Sequence, residues 1–510
     1  MSRVRSYCIA LSLAGLAAGC NGGTGLQNSN CPSGQTLCGT VCATLGSDPQ
    51  NCGACGFACV AGQSCQSGYC KADCVQGYIG CQIPSTTGTG TQLVCINPLT
   101  DSKNCGGCSN IFDGGTVCVS GEVCSAGKCA ETCSPGYTAC QPKDAGYPLD
   151  AGQDAGFPYC ANFLVDDLNC GGCGVVCGPG KACCQSGGFA GCVSTFFDPN
   201  NCGVCGHSCL GGTCGAGLCT PNTLASMYQL QDIKAGNGNV FFIGALSNIV
   251  QFPSVYSTPS GGGSVSQVDQ SLSFAPEALA IDSSSIYWSD NQQDLLYSSP
   301  VNGGTGLPFS VGSTAMDNPL PFGVVAFGPN VYWGGMADAG VGSITVRPLN
   351  GNNPPVVIAT GAWMPNGLAA DNGSVYWTDS IHGNIYRVGI NGGTIQTVAT
   401  AQTGAAGIAV DGNNIYWAAA QTGFVVAQPL DGGLSTIIAR NELTPTRLAI
   451  DGLSIFWTDH DNGLIMKAPL DGGNPLPVAA GQNGPNAIAV DSNYVYWTNA
   501  NGNQVMRAPK

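Results

Sequence analysis

Short apolar runs alternate with polar turns through the C-terminal half of the chain, and an aromatic residue followed by tryptophan recurs among them. The recurring pairs are Tyr287-Trp288, Tyr332-Trp333, Tyr376-Trp377, Tyr416-Trp417, Phe456-Trp457 and Tyr496-Trp497. Successive tryptophans lie 45, 44, 40, 40 and 40 residues apart. A fixed period of about 40 to 45 residues, built from strand patterns, is typical of a β-propeller in which each repeat is one four-stranded blade.

One repeat shows the strands that a blade is expected to contain. Residues 407–411 form a short apolar run that ends in a turn-forming Asp, and residues 415–417 have the β-branched and aromatic composition of a half-buried strand. Residues 423–430 form the third predicted strand. An Asp-Gly-Gly turn at 431–433 then leads to a fourth strand at 435–439, because Asp-Gly steps permit the positive φ of tight hairpins.

The repeats predict seven blades. Before the six tryptophan repeats, the Asn-Val-Phe-Phe segment at 239–242 fits a degenerate first repeat. The last repeat stops after its third strand, and the strand-like segment 223–226 lies upstream of the first repeat. If this N-terminal strand pairs with the last blade, it closes the ring and covers an open sheet edge. We therefore expect a mainly β chain with a seven-bladed propeller over 222–510; a six-bladed ring is the alternative.

A Tyr-Trp-Thr-Asp motif marks several of these repeats. It is intact at 376–379 and nearly intact at 287–290, 456–459 and 496–499. The motif resembles that of the YWTD propellers of lipoprotein-receptor ectodomains, which have six blades. The seventh repeat departs from that pattern, and so do the repeats of Trp333 and Trp417, which lack the Asp. The resemblance implies a blade-packing role for Trp288, Trp333, Trp377, Trp417, Trp457, Trp497, Asp290, Asp379 and Asp459.

The N-terminus has the pattern of an export signal. Arg3 and Arg5 precede an apolar stretch at 7–16, and small residues then lead to Cys20. The apolar stretch is too short to span a membrane, and no other segment of the sequence is suited to do so. A cysteine at the cleavage position resembles a bacterial lipobox, which implies acylation of Cys20; ordinary cleavage, with Cys20 in a disulfide, is the alternative. We expect a signal peptide at 1–19 and a linker at 20–30, in an outer-membrane lipoprotein or an extracellular protein.

The cysteines lie in the N-terminal half of the chain. Of the 32 cysteines, all but Cys8 and Cys20 fall between Cys31 and Cys219, in a Gly-rich stretch. In an exported chain this composition is typical of a disulfide framework that replaces a hydrophobic core. Asp-x-x-Asn-Cys-Gly-x-Cys occurs four times within the region 31–219, in units at about 31–70, 74–129, 133–183 and 184–219. The cysteines of this repeated string are Cys52, Cys55, Cys105, Cys108, Cys170, Cys173, Cys202 and Cys205.

The pairing of these cysteines is a hypothesis at this stage. Two cysteines are missing together where the third and fourth units meet, which suggests that junction cysteines bond each other, as Cys70 with Cys74 and Cys129 with Cys133. Zinc sites and redox dithiols also use Cys-x-x-Cys pairs, but His207 is the one nearby histidine and no βαβ pattern surrounds a pair. The repeated string resembles the plant stigma-specific cysteine-rich family, which implies a secreted, disulfide-bonded module.

Charge restricts the partners. The chain has 15 Lys and Arg against 30 Asp and Glu, so nucleic acid and anionic lipid surfaces are excluded as partners, because both need clustered basic residues. Membrane contact is expected through the Cys20 anchor alone. We expect a monomer without a cofactor that binds an unidentified protein or polysaccharide at the bacterial cell envelope.

Candidate catalytic residues are few. His382 and His460 follow Trp-Thr-Asp motifs in blades two apart. Together with the motif aspartates they would supply few ligands to a metal ion, and exposed turn residues are the simpler interpretation. A second series recurs at one place in the repeats, which favours turn formation, since a single active site needs asymmetry: Asp282, Asp371, Asp411, Asp451 and Asp491. The sequence thus favours a binding or scaffold protein, with a propeller hydrolase, lactonase or lyase holding a divalent cation at the channel as the alternative.

Overall fold

The computed structural model contains β-strands and no helix among the residues that it describes. These are residues 36–38, 41–43, 63–66, 69–72, 79–84, 91–96, 98–99, 105–108, 116–118, 122–140, 159–178, 180–186, 189–248, 252–268, 275–303, 307–309, 321–336, 342–349, 353–362 and 365–510. The chain divides into two compact units, residues 1–176 and 177–510. A search of the described residues for a helix able to cross a membrane found none. Cys20, Cys52, Cys55, Cys70 and Cys74 carry predictions that lie outside the residues described with side chains.

The cysteine-rich region consists of short two-stranded antiparallel hairpins. Consecutive strands pair with each other: β1 (Thr36–Cys38), β2 (Val41–Ala43), β3 (Gln63–Gln66), β4 (Tyr69–Ala72), β5 (Ile79–Pro84), β6 (Thr91–Ile96), β7 (Val123–Ser125), β8 (Lys128–Ala130), β9 (Thr138–Cys140), β10 (Tyr159–Ala161), β11 (Lys181–Ser186), β12 (Phe189–Ser194), β13 (Cys214–Gly215) and β14 (Leu218–Cys219).

Disulfides hold these hairpins together, as the composition predicts. They include Cys81–Cys108, Cys105–Cys124, Cys118–Cys129, Cys133–Cys160, Cys140–Cys173, Cys177–Cys192, Cys184–Cys205, Cys202–Cys214 and Cys209–Cys219. Cysteines in disulfides have no thiolate to offer a metal, so the zinc and dithiol alternatives fail for these residues. Crosslinks at this density are typical of extracellular or envelope proteins.

The predicted bond between Cys129 and Cys133 is wrong. Cys129 is bonded to Cys118 and Cys133 to Cys160, with Cα atoms 5.3 and 5.6 Å apart, the separation that a disulfide requires. The two cysteines at this junction therefore bond to partners within their own units.

One shared disulfide accounts for the two missing cysteines. Cys177 lies seven residues after Cys170, as Cys209 lies seven residues after Cys202. The Cys177–Cys192 disulfide is therefore equivalent to Cys209–Cys219, the last disulfide of a repeat. Cys177 also lies seven residues before Cys184, as Cys133 lies seven residues before Cys140. The same disulfide is therefore equivalent to Cys133–Cys160, the first disulfide of a repeat. A single bond fills both places, and it crosses the boundary expected between residues 183 and 184.

In the third and fourth cysteine units, the repeated Asp and Asn form the turn before Cys-Gly-x-Cys. Asn169 Nδ2 donates to Asp166 Oδ2 over 3.0 Å, and Asn169 Oδ1 accepts from the Gly174 N–H over 2.8 Å. Asp198 and Asn201 form the same pair over 2.9 Å. In the three units where the structure describes it, the glycine after the first cysteine has positive φ, and a Cβ on Gly203 would lie 2.6 Å from a carbonyl oxygen, so that position requires glycine. The repeated string is thus a local folding motif.

The propeller has seven blades, which confirms the expected count over the six-bladed alternative. Each blade is one four-stranded antiparallel sheet. The blades are blade 1, β16 (Ile233–Gly236), β17 (Asn239–Gly244), β18 (Ser254–Pro259) and β19 (Ser266–Gln267); blade 2, β20 (Pro276–Ile281), β21 (Ser285–Asp290), β22 (Leu295–Pro300) and β23 (Leu307–Pro308); blade 3, β24 (Pro321–Phe327), β25 (Asn330–Met336), β26 (Gly342–Pro348) and β27 (Val356–Thr360); blade 4, β28 (Pro365–Ala370), β29 (Ser374–Asp379), β30 (Asn384–Gly389) and β31 (Gln396–Ala399); blade 5, β32 (Ala405–Val410), β33 (Asn414–Ala419), β34 (Phe424–Pro429) and β35 (Thr436–Ala439); blade 6, β36 (Pro445–Ile450), β37 (Ser454–Asp459), β38 (Leu464–Pro469) and β39 (Leu476–Ala479); and blade 7, β40 (Pro485–Val490), β41 (Tyr494–Asn499), β42 (Gln504–Pro509) and β15 (Asn222–Ser226).

The N-terminal strand closes the ring, as the sequence predicts. β15 pairs antiparallel with β42, with Ala225 opposite Val505. Met227 N–H continues the ladder and donates to the Asn503 carbonyl over 2.9 Å. The first and last segments of the ring therefore lie in one sheet, and the outer edge of β42 is covered.

The propeller core lies between neighbouring blades. The aromatic-Trp strand of each blade is buried almost throughout, and its six tryptophans are at most 2% exposed. Trp417 of blade 5, for example, belongs to one apolar cluster with Tyr376 and Ile385 of blade 4. Because successive side chains of a strand point to opposite faces, each aromatic-Trp pair reaches the apolar layers on both sides of its blade.

The indole N–H groups of these tryptophans differ in their partners. Trp417 Nε1 donates to Gln402 Oε1 over 2.8 Å, whereas the buried Trp377 Nε1 has no acceptor among the described residues. The residue 15 positions before Trp377 is Ala362, which has no polar side chain.

We therefore expect Trp417→Phe to destabilise the protein by about 0.5 to 1.5 kcal/mol more than Trp377→Phe, because only the first substitution removes a hydrogen bond. Urea unfolding of the two variants measures the difference. Gln402→Ala is the control, and its effect should not add to that of Trp417→Phe. Equal losses in Trp417→Phe and Trp377→Phe would contradict the hydrogen bond's contribution.

Candidate functional site

The motif aspartates bind backbone N–H groups in the segments beside the ends of their strands. Asp379 is fully buried, and its Oδ1 accepts from the N–H groups of Ile381 and His382 over 3.1 Å each. Asp459 is also fully buried and accepts from the N–H groups of Leu443 and Thr444 over 3.2 and 2.9 Å. These carboxylates are used by the backbone, so they are not available to a substrate.

The threonine of the motif links one blade to the next. Thr378 Oγ1 accepts from the Gly367 N–H over 3.0 Å and donates to the Ala406 carbonyl of blade 5 over 3.1 Å. Thr458 makes the same kind of bond to the Asn486 carbonyl of blade 7 over 2.8 Å. The contacts of the motif are therefore with its own blade and with the neighbouring blade.

The two propeller histidines are not brought together. His382 Nδ1 lies 2.7 Å from Asp379 Oδ2, and His460 Nδ1 lies 2.7 Å from Asp461 Oδ1. Each imidazole is paired with a carboxylate of its own turn. Among the described residues, the groups of three or more possible metal ligands are triplets of disulfide-bonded cysteines. The arrangement fits the turn interpretation of the histidines.

The second aspartate series forms turns, as its repetition predicts. Asp371 Oδ1 accepts from the N–H groups of Gly373 and Ser374 over 2.7 Å each, and its Oδ2 accepts from the Tyr376 hydroxyl over 2.9 Å. Corresponding bonds join Asp282 with Tyr287, Asp411 with Tyr416 and Asp491 with Tyr496. Burial, together with the bond to Asp411, raises the pKa of Tyr416 to about 12.

In blade 6 a lysine replaces the tyrosine hydroxyl. Phe456 has no hydroxyl, and Lys510 Nζ lies 2.5 Å from Asp451 Oδ2 in its place. Burial disfavours the charge on Asp451, but the bond from Lys510 and the backbone N–H groups outweigh it and hold the pKa of Asp451 below its usual value. The series thus keeps one structural role even where the partner changes.

The candidate functional site is one end of the central channel. The channel has a volume of about 540 Å³ and is lined by the first strand of every blade. Its side chains at this end differ from blade to blade, unlike those of the repeated motifs. We define the channel mouth as Gln231, Asp232, Lys234, Glu277, Phe322, Asn366, Arg447 and Asn486.

The charged residues of the channel mouth break the symmetry of the ring. Glu277 has the same place in its blade as Phe322, Asn366 and Asn486, and Arg447 stands where blade 1 has Asp232 and the other blades have Gly or Ala. Polar groups that converge on a channel without internal symmetry are typical of a ligand site. Sequence reasoning missed this set because the members of the channel mouth are spread over six blades; the signal was a charged side chain at a repeat position that most blades fill with Gly or Ala.

Lys234 and Asp232 form a fixed pair at the channel mouth. Lys234 Nζ lies 3.0 Å from both carboxylate oxygens of Asp232. Asp232 Oδ2 also accepts from the Leu279 N–H over 2.8 Å, which ties blade 1 to blade 2. The charges of this pair neutralise each other.

Arg447 has no such partner. Its Nη2 donates to Asn366 Oδ1 of blade 4 over 3.4 Å, and among the described residues no carboxylate lies within the 4.0 Å of an ion pair. Glu277 is bonded by the Asn291 amide. Burial raises the pKa of Glu277, and the positive charge of Arg447 and the Asn291 bond offset part of that rise. The channel mouth therefore presents a guanidinium without an ion-pair partner among the described residues and a carboxyl whose pKa is raised.

A second titrating group lies in blade 6, away from the channel. Trp457 Nε1 donates to Glu442 Oε2 over 3.1 Å, at the position where the neighbouring blades use Gln402 and Gln482. Burial, and the nearby charge of Asp459, raise the pKa of Glu442 to about 8 despite the bond from Trp457. Glu442 thus takes the position of the glutamines in the neighbouring blades, and its raised pKa favours the neutral, protonated carboxyl there.

No family model matches the chain, and no curated protein matches it. Similar solved structures include a streptogramin B lyase, with 12% identity, 57% of this chain and 97% of that chain covered, and a TM-score of 0.46. A virginiamycin B lyase from Staphylococcus aureus has 14% identity, covers 57% of this chain and 99% of its own, and has a TM-score of 0.44. A nidogen/laminin complex has 19% identity, 43% and 82% coverage, and a TM-score of 0.36. Similarities this distant carry no argument about function.

Proposed function

We propose that this chain is an exported binding protein whose propeller takes up a polysaccharide or protein ligand at the channel mouth. The observation that carries the proposal is the asymmetric set of polar side chains at one end of a channel whose remaining lining is largely small or apolar. The disulfides support export, because such crosslinks persist in oxidising compartments. The cysteine-rich region then serves as a stalk, and acylation of Cys20 holds the protein at the envelope.

Binding is favoured over catalysis by the donor groups of the channel mouth. A hydrolase or lyase with a divalent cation needs several oxygen or nitrogen ligands around one point. The acidic groups of the mouth are Asp232, which is engaged by Lys234 and the Leu279 N–H, and Glu277, which is engaged by Asn291. These residues do not fit a dedicated cation site.

Binding of the purified full chain to a glycan array and to envelope extracts tests the proposed function. We expect specific retention of a ligand by the wild-type protein and its loss in a double variant, Asn366→Ala with Asn486→Ala. Retention that is unchanged in this variant places the ligand elsewhere and contradicts the proposal. Metal analysis of the same sample tests the alternative, since a stoichiometric divalent cation favours an enzyme.

Replacement of Cys20 tests the anchor. In a Gram-negative host, we expect Cys20→Ala to abolish acylation and to shift the protein out of the membrane fraction, because stable anchoring depends on the acyl chains. Fractionation and intact-mass analysis measure the change. Cys8→Ser, which removes a cysteine inside the expected signal, is the matched control and should leave the anchor intact. A wild-type mass without acyl chains would contradict the prediction.

A further inference from the structure

We infer that the ligand of the channel mouth is an acidic polysaccharide, with the carboxylate of one uronate sugar bound by Arg447. This inference rests on the proposed function and specifies the chemistry of its site. It is carried by the guanidinium of Arg447, which has no ion-pair partner among the described residues and lies at the polar end of the channel.

The guanidinium of Arg447 has the geometry for a carboxylate. Arginine carries five N–H donors in a planar fork, and the one acceptor found for Arg447 among the described residues is Asn366 Oδ1, at the long distance of 3.4 Å. A carboxylate pairs with such a fork through two parallel hydrogen bonds. The other cation of the channel, Lys234, is already neutralised by Asp232 and provides the internal comparison.

The groups around Arg447 suit a sugar better than a peptide terminus. Gln231, Asn366 and Asn486 present amides, which both donate and accept, as sugar hydroxyls do. Phe322 adds one aromatic ring at the same level of the channel. Amides outnumber that ring among the side chains of the channel mouth, which favours a hydroxyl-rich ligand over a peptide with an apolar terminal side chain.

Glu277 makes the expected binding pH-dependent. Asn291 donates to its carboxyl, Arg447 is the cation that acts on it, and the pair of Lys234 and Asp232 faces it from blade 1. A protonated Glu277 donates a hydrogen bond to the ligand, whereas an ionised Glu277 repels the ligand carboxylate. Uronate binding should therefore be tightest below the raised pKa of Glu277 and weaken as the pH rises through it, and Glu277→Gln should remove this dependence.

Titration calorimetry of the full chain with oligogalacturonate tests the inference. The matched probe is the same oligosaccharide with its carboxyl groups reduced to alcohols. We expect reduction of the carboxyls, or Arg447→Gln in the protein, to weaken binding about 30-fold or more, as loss of one partner from a charged pair does. Arg440→Gln removes an exposed arginine outside the channel and should bind as the wild type does.

The outcomes separate the inference from the proposed function. Equal affinity for the native and the reduced oligosaccharide overturns the uronate assignment but leaves a glycan-binding propeller. Binding of a peptide with a free terminal carboxylate, lost on amidation and absent for oligogalacturonate, overturns it in favour of a protein ligand. Absence of any glycan or protein ligand for the wild-type chain overturns the proposed function itself. Thermal melting of Arg447→Gln controls for misfolding.

Discussion

Ala225→Pro is expected to lower the free energy of unfolding by about 3 kcal/mol or more, because it breaks the strand that closes the ring. Ala225 is opposite Val505, two residues from the pair in which Met227 N–H donates to Asn503. The alternation of an antiparallel ladder places the next pair of hydrogen bonds at Ala225, and proline removes its donor. Denaturant unfolding followed by tryptophan fluorescence measures the loss.

The control for this substitution is Ile437→Pro in the outer strand of blade 5. Ile437 is opposite Val426, and in blade 6 the equivalent residue is already a proline, Pro477, opposite Met466. The outer edge of a blade thus tolerates proline, and we expect only a small loss. If the two prolines destabilise the protein equally, β15 has no special role in closing the ring.

Glu442→Gln is expected to stabilise the protein at alkaline pH and to have little effect near pH 4.5. Folding raises the pKa of Glu442 from 4.5 to about 8, so the native state holds a proton that the unfolded chain has lost. The stability of the wild type therefore falls as the pH rises between these values. Glutamine accepts the same Trp457 bond without titrating. We expect a melting temperature about 5 °C higher than the wild type at pH 9.

The reverse exchange in blade 7 is the matched control. Gln482 accepts from Trp497 over 3.1 Å, and its neighbour is Asn499 where blade 6 has Asp459. Gln482→Glu places a carboxyl beside the neutral amide of Asn499. The loss of melting temperature that it adds between pH 5 and pH 9 should therefore be smaller than the loss that Glu442→Gln removes. If the melting profiles of wild type and Glu442→Gln coincide from pH 5 to pH 9, folding does not raise the pKa of Glu442 and the prediction is wrong.

Local patterns predicted the strands with good accuracy. The sequence placed strands at 407–411, 415–417 and 435–439, and the structure has β32, β33 and β35 within three residues of each end. Strand periodicity and Asp-Gly turns depend on neighbouring residues, so one sequence is enough to find them. The cysteine pairs were predicted less well, because the partner of Cys129 depends on which thiol the fold brings close.

The sequence alone determined that the chain contains a ring of similar sheets and a disulfide-bonded region, and it favoured seven sheets over six, because the period, the turns and the cysteine spacing are local features of the sequence. The tertiary structure decided two other things. It showed that the Cys177–Cys192 disulfide serves both as the last bond of one repeat and as the first bond of the next. It also brought Glu277, Asn366 and Arg447 to one end of the channel. The physical reason is closure of the ring: residues that are a blade or more apart in sequence become neighbours only when all seven first strands surround one axis.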